Sequence, residues 1–500
     1  MTTPDTTSTE QNPVVATSSG RVRGDLTGGI ARFRAIPYAA PPVGALRFAP
    51  PTRPSSWDGV RDARSPGATA PQAHRGLPGV DLSAVVGPGW RRGEDYLTLD
   101  VWSPDIGARG LPVIVFVHGG AFVAGTGSAA GSDGASFARA GAVLVTINYR
   151  VGAEGFLPVP GGATNIGLRD QIAAVEWIRD NAEAFGGDPH NITLFGHSAG
   201  AASVACLLRS PLASGLFNRA IVHSGNDETT RPLEVGQRLS AAVAEAVGVE
   251  NTAEALRGVS SEQLLEAQAI VTTRGTKPDL RDSEGFDPGY GLVTFLPITG
   301  DDVLPWHTAS STAPAGWAPE LLIGTCHDEI NVYLVPTGVV DSVGEQQAIG
   351  MLQASRPDAK SVLTAYGLGE PGIAPGMVLA RALTDLVFRS PARRLAQRHP
   401  GPTYSFDFRW PSPLHQGRLG ACHGIELPFV FNTLAAAGGP TGLVGDTPPT
   451  QISALMQQAW VDFAANGKTN WPEYRPDRQV LRIEEHPSVG TDETAPYADI

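Results

Sequence analysis

The sequence predicts an α/β fold in which a mostly parallel central sheet carries helices on both faces. Three observations lead to that expectation. Short aliphatic and β-branched runs at residues 112–117, 142–147, 192–195, 220–223, 321–324 and 404–408 have the length and composition of strands buried on both faces. Helical patterns alternate with them, as at residues 168–185, where Ile172, Val175 and Ile178 recur at helical spacing. The pentapeptide Gly196-His197-Ser198-Ala199-Gly200 joins one strand directly to a small-residue helix at residues 201–209. Strands that alternate with helices in this way are joined by crossovers and therefore lie parallel.

Composition bounds the class. A chain of 500 residues, 42% hydrophobic and 17% charged, can bury a large core. It reads as a single domain over residues 14–500, preceded by a polar, Thr- and Ser-rich tail at residues 1–13 that is expected to be disordered. That tail lacks the basic start and apolar centre of a secretion signal. A net charge of -13 leaves no basic footprint, which argues against a nucleic-acid partner. No run reaches the apolar length of a membrane span. The three cysteines, Cys206, Cys326 and Cys422, are odd in number and far apart, so they are expected to be buried free thiols in a cytoplasmic, reducing compartment. No dinucleotide fingerprint, P-loop or His-Glu-x-x-His pattern occurs, so neither a cofactor nor a metal is expected.

Taken in order, residues 14–17, 20–24 and 30–34 read as strands of an opening antiparallel meander joined by glycine turns. The proline-rich stretch from Ile36 to Phe48 must cross the surface in extended form, because its prolines forbid a helix. Residues 65–90 are rich in Gly, Pro and Ala without periodicity and read as a mobile loop able to overhang a pocket. The strands and helix already named follow, with Asn165 the expected N-cap of the helix. Residues 227–302 and 332–398 interrupt the strand rhythm with helical stretches such as 239–247 and 261–270, and read as insertions walling an active-site gorge. A last helix at residues 451–465 closes the chain.

The chemistry centres on Ser198. A serine hydroxyl is a weak nucleophile and must be held at an exposed, strained point within reach of a base and of donors for a developing oxyanion. Glycines two residues either side of it permit such an elbow. Upstream, residues 113–117 end in His118-Gly119-Gly120-Ala121-Phe122, where Gly120 and Ala121 expose backbone N–H groups that, with Ala199, form a three-donor oxyanion hole. Of eleven histidines, His423 stands out, because it lies in a flexible segment, residues 417–424, that follows what reads as the last sheet strand, residues 404–408. It is therefore the expected base. The acid should fall between serine and histidine just beyond a strand. Residues 321–326 supply the strand and His327-Asp328-Glu329 the turn, with Glu329 preferred and Asp328 in reserve.

With those residues in place, the chain resembles the type-B carboxylesterases of the cholinesterase and para-nitrobenzyl esterase family, over about residues 14–474. The resemblance rests on Ile36-Pro37-Tyr38-Ala39, Pro41-Pro42-Val43-Gly44, Leu46-Arg47-Phe48, Glu94-Asp95 with residues 97–104, Asn148-Tyr149-Arg150, Phe185-Gly186-Gly187-Asp188-Pro189 and residues 423–431. It implies an α/β-hydrolase fold and a serine esterase acting on small-molecule esters through a Ser198, Glu329, His423 triad. It further implies a supporting hydroxyl at Ser224, the ion pairs Arg47 with Glu94 and Arg150 with Asp170, and Phe122 as a lining residue. Ala121 in the oxyanion loop makes tertiary-alcohol esters candidate substrates. Three departures stand out. Tyr96 and Ala70 occupy places where secreted relatives carry a disulfide, His197 replaces a glutamate beside the nucleophile, and Asn226 falls where a small residue is usual. Carbamate, amide or polyester-oligomer cleavage would use the same triad. A non-catalytic binding module, which similar folds also form, is disfavoured because all three triad residues are kept.

Overall fold

The computed structural model describes residues 12–273, 275–306, 316–493, 496 and 497. The expected tail at residues 1–13 lies outside them except for its last two positions. The chain opens with β1 (Val14–Thr17), β2 (Gly20–Arg23), β3 (Asp25–Thr27) and β4 (Ile30–Pro37), followed by β5 (Val60–Asp62). The meander splits between two sheets: β1, β2 and β5 form a small one, while β3 and β4 join the edge of the main sheet.

The main sheet continues with β6 (Thr98–Ser103), β7 (Leu111–Val117), β8 (Val143–Ile147), β9 (Gly187–His197) and β10 (Arg219–His223). After the two-residue strands β11 (Arg231–Pro232) and β12 (Ile298–Thr299), which pair with each other, come β13 (Glu320–Cys326), β14 (Thr403–Phe408), β15 (Gln479–Ile483) and β16 (Ser488–Thr491). Among the described residues its eleven strands run in the order β16-β15-β14-β13-β10-β9-β7-β8-β6-β4-β3. The seven from β8 to β15 are parallel, and antiparallel pairs close both edges. The strand at residues 403–408 is therefore not the last in the sheet. The run Gln479-Val480-Leu481-Arg482-Ile483 extends it, and its mixed polarity fits a position next to the edge, where burial is incomplete.

Burial on both faces explains the continuous apolar strands. In β7, Val113, Val115 and Val117 point into one core with the helices Ile166–Asn181 and Ala199–Leu207. Ile114 and Phe116 point into the other with the helix Thr450–Asn466. Asn165 does not cap its helix. Its backbone is left-handed at φ 52°, and its side chain instead pairs with the backbone of Ile298, accepting from the N–H and donating to the carbonyl, both at 2.7 Å.

The strand order reverses at β7, which has β8 on one side and β9 on the other. Such a switch point leaves a crevice beyond the carboxyl ends of the two diverging strands. The residues that follow β7 and β9 are the Gly119-Gly120-Ala121 loop and Ser198.

Candidate active site

Ser198 stands between β9 and the helix Ala199–Leu207 with φ 56° and ψ -123°, a conformation non-glycine residues rarely adopt. Its N–H donates to the His223 carbonyl at 2.8 Å, and its carbonyl accepts from Ala202 at 2.8 Å. The flanking glycines are sterically required. A Cβ on Gly196 would run into the carbonyl of Gly200, and one on Gly200 into the carbonyl of Val117. The elbow thus closes only where strand, turn and the neighbouring β7 meet backbone to backbone.

His423 Nε2 lies 2.8 Å from Ser198 Oγ, and His423 Nδ1 lies 2.5 Å from Glu329 Oε2. A carboxylate only accepts, so Nδ1 carries the proton and Nε2 is left to accept from the serine. Glu329 is fully buried, and its Oε1 accepts from the Cys326 N–H at 2.8 Å. The reserve acid, Asp328, does not reach the imidazole. It accepts from the Ala421 N–H and so holds the segment that carries His423.

The loop after β7 is strained and braced. Gly120, Ala121 and Phe122 all have positive φ, at 121°, 55° and 60°. The Gly120 carbonyl accepts from Val123 and Ala124, and Gln72 holds Gly125 by a pair of amide hydrogen bonds. Gly120 adopts this freely, whereas strain of about 1–3 kcal/mol at each of Ala121 and Phe122 is tolerated where surroundings over-determine the backbone in this way. Among the described residues, the N–H groups of Gly120, Ala121 and Ala199 donate to no carbonyl of the chain. His118 stacks on Tyr149, donates from Nδ1 to the Gly119 carbonyl, and is pushed down to about 4 by burial.

A cavity of about 260 Å³ opens above Ser198, Gly120 and Ala121. The stretch at residues 65–90 covers it with Arg75, Leu82 and Val85, and the second insertion adds Val332 and Tyr333. Phe388 packs on the His423 ring at 4.8 Å. The two insertions together line a separate, larger cavity of about 570 Å³. There Arg231, Arg356, Arg394 and Arg398 are each paired with a carboxylate, and no triad residue reaches it. The smaller cavity, where Ser198 lies, is the candidate site. Among the described residues, no cluster of His, Cys, Asp and Glu is arranged to hold a metal ion.

The chain's similarities agree with this geometry. A profile of the carboxylesterase family matches residues 11–498. The chain belongs to the carboxylesterase family. It is 35% identical to the para-nitrobenzyl esterase of Bacillus subtilis, with 96% of each chain covered. It is 34% identical to the phenmedipham hydrolase of Pseudarthrobacter oxydans, with 94% of each covered. A solved structure of a PNB esterase superposes with a TM-score of 0.80 at 32% identity, covering 96% of this chain and 97% of that one. A carboxylesterase of Geobacillus stearothermophilus gives 0.78 at 32% identity, covering 96% and 98%. This carboxylesterase is accordingly a carboxylic ester hydrolase with an α/β-hydrolase fold.

Several expected contacts of the esterase are redrawn. Arg47 pairs with Glu154 at 2.7 Å and not with Glu94, which is exposed. Glu154 is the buried carboxylate of that region and also accepts from Tyr96 and Ser261. Arg150 and Asp170 do pair, bidentately at 2.6 and 2.8 Å, and both are fully buried. Among the described residues the Ser224 hydroxyl makes no direct hydrogen bond to Ser198, His423 or Glu329. The N–H of Ser224 is fixed to the Gly324 carbonyl, and its buried Oγ has no hydrogen-bond partner among the described residues. The Phe122 ring turns inward against Phe156 at 4.6 Å and does not line the cavity.

His197 lies under the site. Its ring rests on His423, and burial holds it down to about 3, so it is neutral. Behind it Glu426, fully buried, accepts from His223 Nδ1–H at 3.2 Å and from Cys326 Sγ at 3.1 Å. The Trp460 indole N–H donates to His223 Nε2 at 2.8 Å and so fixes that tautomer. Burial would raise the Glu426 carboxyl, but the adjacent His197 ring, together with the bonds from His223 and Cys326, holds it down at about 2. Sequence reasoning missed this network, although Glu426 stands three residues after His423 in a segment already singled out.

Proposed function

We propose that this carboxylesterase works through Ser198, His423 and Glu329, with Gly120, Ala121 and Ala199 as the oxyanion hole. The unbroken hydrogen-bond line from Ser198 Oγ through His423 to Glu329 carries the reading. His423 Nε2 takes the serine proton as Oγ attacks the ester carbonyl. The carbonyl oxygen becomes an anion facing the free N–H groups, each such donor contributing about 2.7–4 kcal/mol of transition-state stabilisation. Nε2 then returns the proton to the leaving alcohol as the C–O bond breaks. Water, activated by the same histidine, hydrolyses the acyl-enzyme and frees Ser198. Glu329 holds the imidazole in the required tautomer and stabilises its cationic form.

The substrate class is small-molecule esters, consistent with a cavity of about 260 Å³. Similarity to the phenmedipham hydrolase makes phenmedipham the second compound to assay after simple esters. The test is hydrolysis of a chain-length series of para-nitrophenyl esters, with phenmedipham alongside and Ser198→Ala as control. Turnover of short esters that the variant loses is the expected result. Turnover that survives in Ser198→Ala would remove the nucleophile assignment.

A single domain over residues 14–500 is supported by one sheet that takes its edge strands from residues 25–27 and 488–491. Three buried free thiols favour a cytoplasmic, reducing location. Among the described residues no helix is long and apolar enough to cross a membrane.

A further inference from the structure

The cavity above Ser198 carries a charge imbalance that hydrolysis of a neutral ester does not need. Among the described residues Arg75, exposed at the cavity rim, is the one lining side chain with a permanent charge. The carboxylates nearby, Glu329 and Glu426, lie buried behind His423 and His197. Arg75 forms no ion pair among the described residues, although acidic side chains outnumber Lys and Arg by 50 to 37 in this chain. Its guanidinium makes a single hydrogen bond, from Nη1 to the Gly120 carbonyl at 3.3 Å, and keeps its other donors free.

Position adds to the case. The carbonyl that Arg75 engages belongs to the Gly120–Ala121 peptide, whose N–H faces the expected oxyanion position. Carbonyl and N–H point opposite ways in a trans peptide, so the guanidinium lies across that peptide from the scissile carbonyl of a bound ester and meets only a carboxylate that reaches along the cavity wall. Tyr333 lines the same cavity from the other wall. Burial raises that phenol and keeps it a donor, and among the described residues the hydroxyl has no partner. Two walls thus present donors to the cavity, and neither presents an acidic side chain.

We propose that Arg75 and the Tyr333 hydroxyl form an anion subsite, and that the preferred esters carry a carboxylate a few bonds from the scissile carbonyl. Monoesters of short dicarboxylic acids are the simplest members of that class. This rests on the esterase reading of Ser198. In an acidic protein an anionic substrate is repelled at long range, so a local unpaired guanidinium, which meets a carboxylate in bidentate fashion, decides whether such a substrate is accepted.

The test compares kcat/KM for charged and neutral partners of matched shape. The pairs are para-nitrophenyl hydrogen glutarate with its methyl ester, and para-acetoxybenzoate with its methyl ester, so that both sides of the scissile bond are covered. In Arg75→Gln the charged-to-neutral ratio should fall about tenfold for at least one pair, the value of one charge-assisted hydrogen bond. Arg75→Lys should restore part of it, and added salt should lower the wild-type ratio. A ratio that Arg75→Gln leaves unchanged in both pairs overturns the subsite, even where absolute rates drop. A residue that merely braces the Gly120 loop acts on both esters alike.

A binding measurement separates this proposal from the esterase reading. Calorimetric titration of Ser198→Ala with para-acetoxybenzoate needs no turnover, and the affinity should weaken about tenfold when Arg75→Gln is added. If the wild type hydrolyses no ester while this Arg75-dependent binding persists, the nucleophile assignment fails and the subsite stands. Hydrolysis of neutral esters without Arg75-dependent binding or ratio change does the reverse.

Discussion

The His197 imidazole lies against the His423 imidazole with ring centroids 4.7 Å apart, and its Nε2 is 3.5 Å from the Glu426 carboxylate. That separation is too long for a hydrogen bond, so the ring is buried without a partner for either nitrogen among the described residues. A neutral histidine of this kind places no charge beside the base when the base becomes cationic.

The same burial makes the fold acid-sensitive. In the unfolded chain a histidine takes up its proton near pH 6.5, whereas folded His197 does so only at about 3 and His118 at about 4. Between those values the unfolded state binds more protons, so stability falls as pH falls below 6.5, by on the order of a few kcal/mol. Glu426, held down at about 2, extends the loss below pH 4.5. Asp100, pushed up to about 6 by burial, opposes it between pH 6 and 4. The melting temperature should therefore drop steeply from about pH 6.5 to pH 4, and His197→Gln should flatten that slope. Parallel slopes in the two proteins would rule His197 out as a source.

Removal of either triad partner should abolish activity without unfolding the chain. Ser198→Ala and His423→Ala are each expected to lower kcat by on the order of 10⁴-fold or more, and the double variant should be no worse than either single one. Ser198→Ala only shortens a side chain at the cavity floor and should melt near wild type, whereas His423→Ala leaves the buried Glu329 without its imidazole partner and should melt lower while remaining folded. Losses that multiply in the double variant would mean that the two residues do not act as a unit.

What was legible in the sequence is what is encoded locally. The elbow is specified within five residues, because its glycines are dictated by contacts between Gly196, Gly200 and Val117 backbones. The order of serine, acid and histidine follows from strand ends that the apolar runs reveal. The wall segments at residues 65–90 and 332–398 were legible, but the side chains they present were not, because Arg75 and Leu82 sit on irregular backbone and Tyr333 on a single helical turn, each directed by tertiary contacts. Phe122 shows why: its positive φ turns the ring from the cavity into the core. Arg47 finds Glu154 across 107 residues, a pairing that no spacing rule foresees. Asn165 has the composition of a helix cap, yet its amide is taken by the distant Ile298 backbone.

The Arg150 and Asp170 pair supports a testable stability claim. Both side chains are fully buried, and Arg150 also donates to the Ala49 carbonyl at 2.8 Å, tying the proline-rich crossing segment to the helix Ile166–Asn181. Asp170→Ala leaves the guanidinium buried and unpaired and should cost about 3–5 kcal/mol. Replacing both residues with apolar ones, Arg150→Met with Asp170→Leu, should cost less than that single change. Urea denaturation measures both. A single variant as stable as wild type would mean that water reaches the arginine.

Two glycine substitutions separate steric necessity from helix propensity. Gly200→Ala drives a methyl into the Val117 carbonyl, and backbone on both sides leaves nothing flexible to yield. It should destabilise the protein by about 1–3 kcal/mol and, by displacing the elbow, remove most activity. Gly350 lies in the helix Glu345–Gln353 with nothing near a prospective Cβ. Gly350→Ala should therefore stabilise by about 0.5–1 kcal/mol, through reduced chain entropy in the unfolded state, and leave hydrolysis intact. Thermal melts and ester turnover on the two variants suffice to check this. An active, undamaged Gly200→Ala would show that the elbow can open by a route other than the observed contacts.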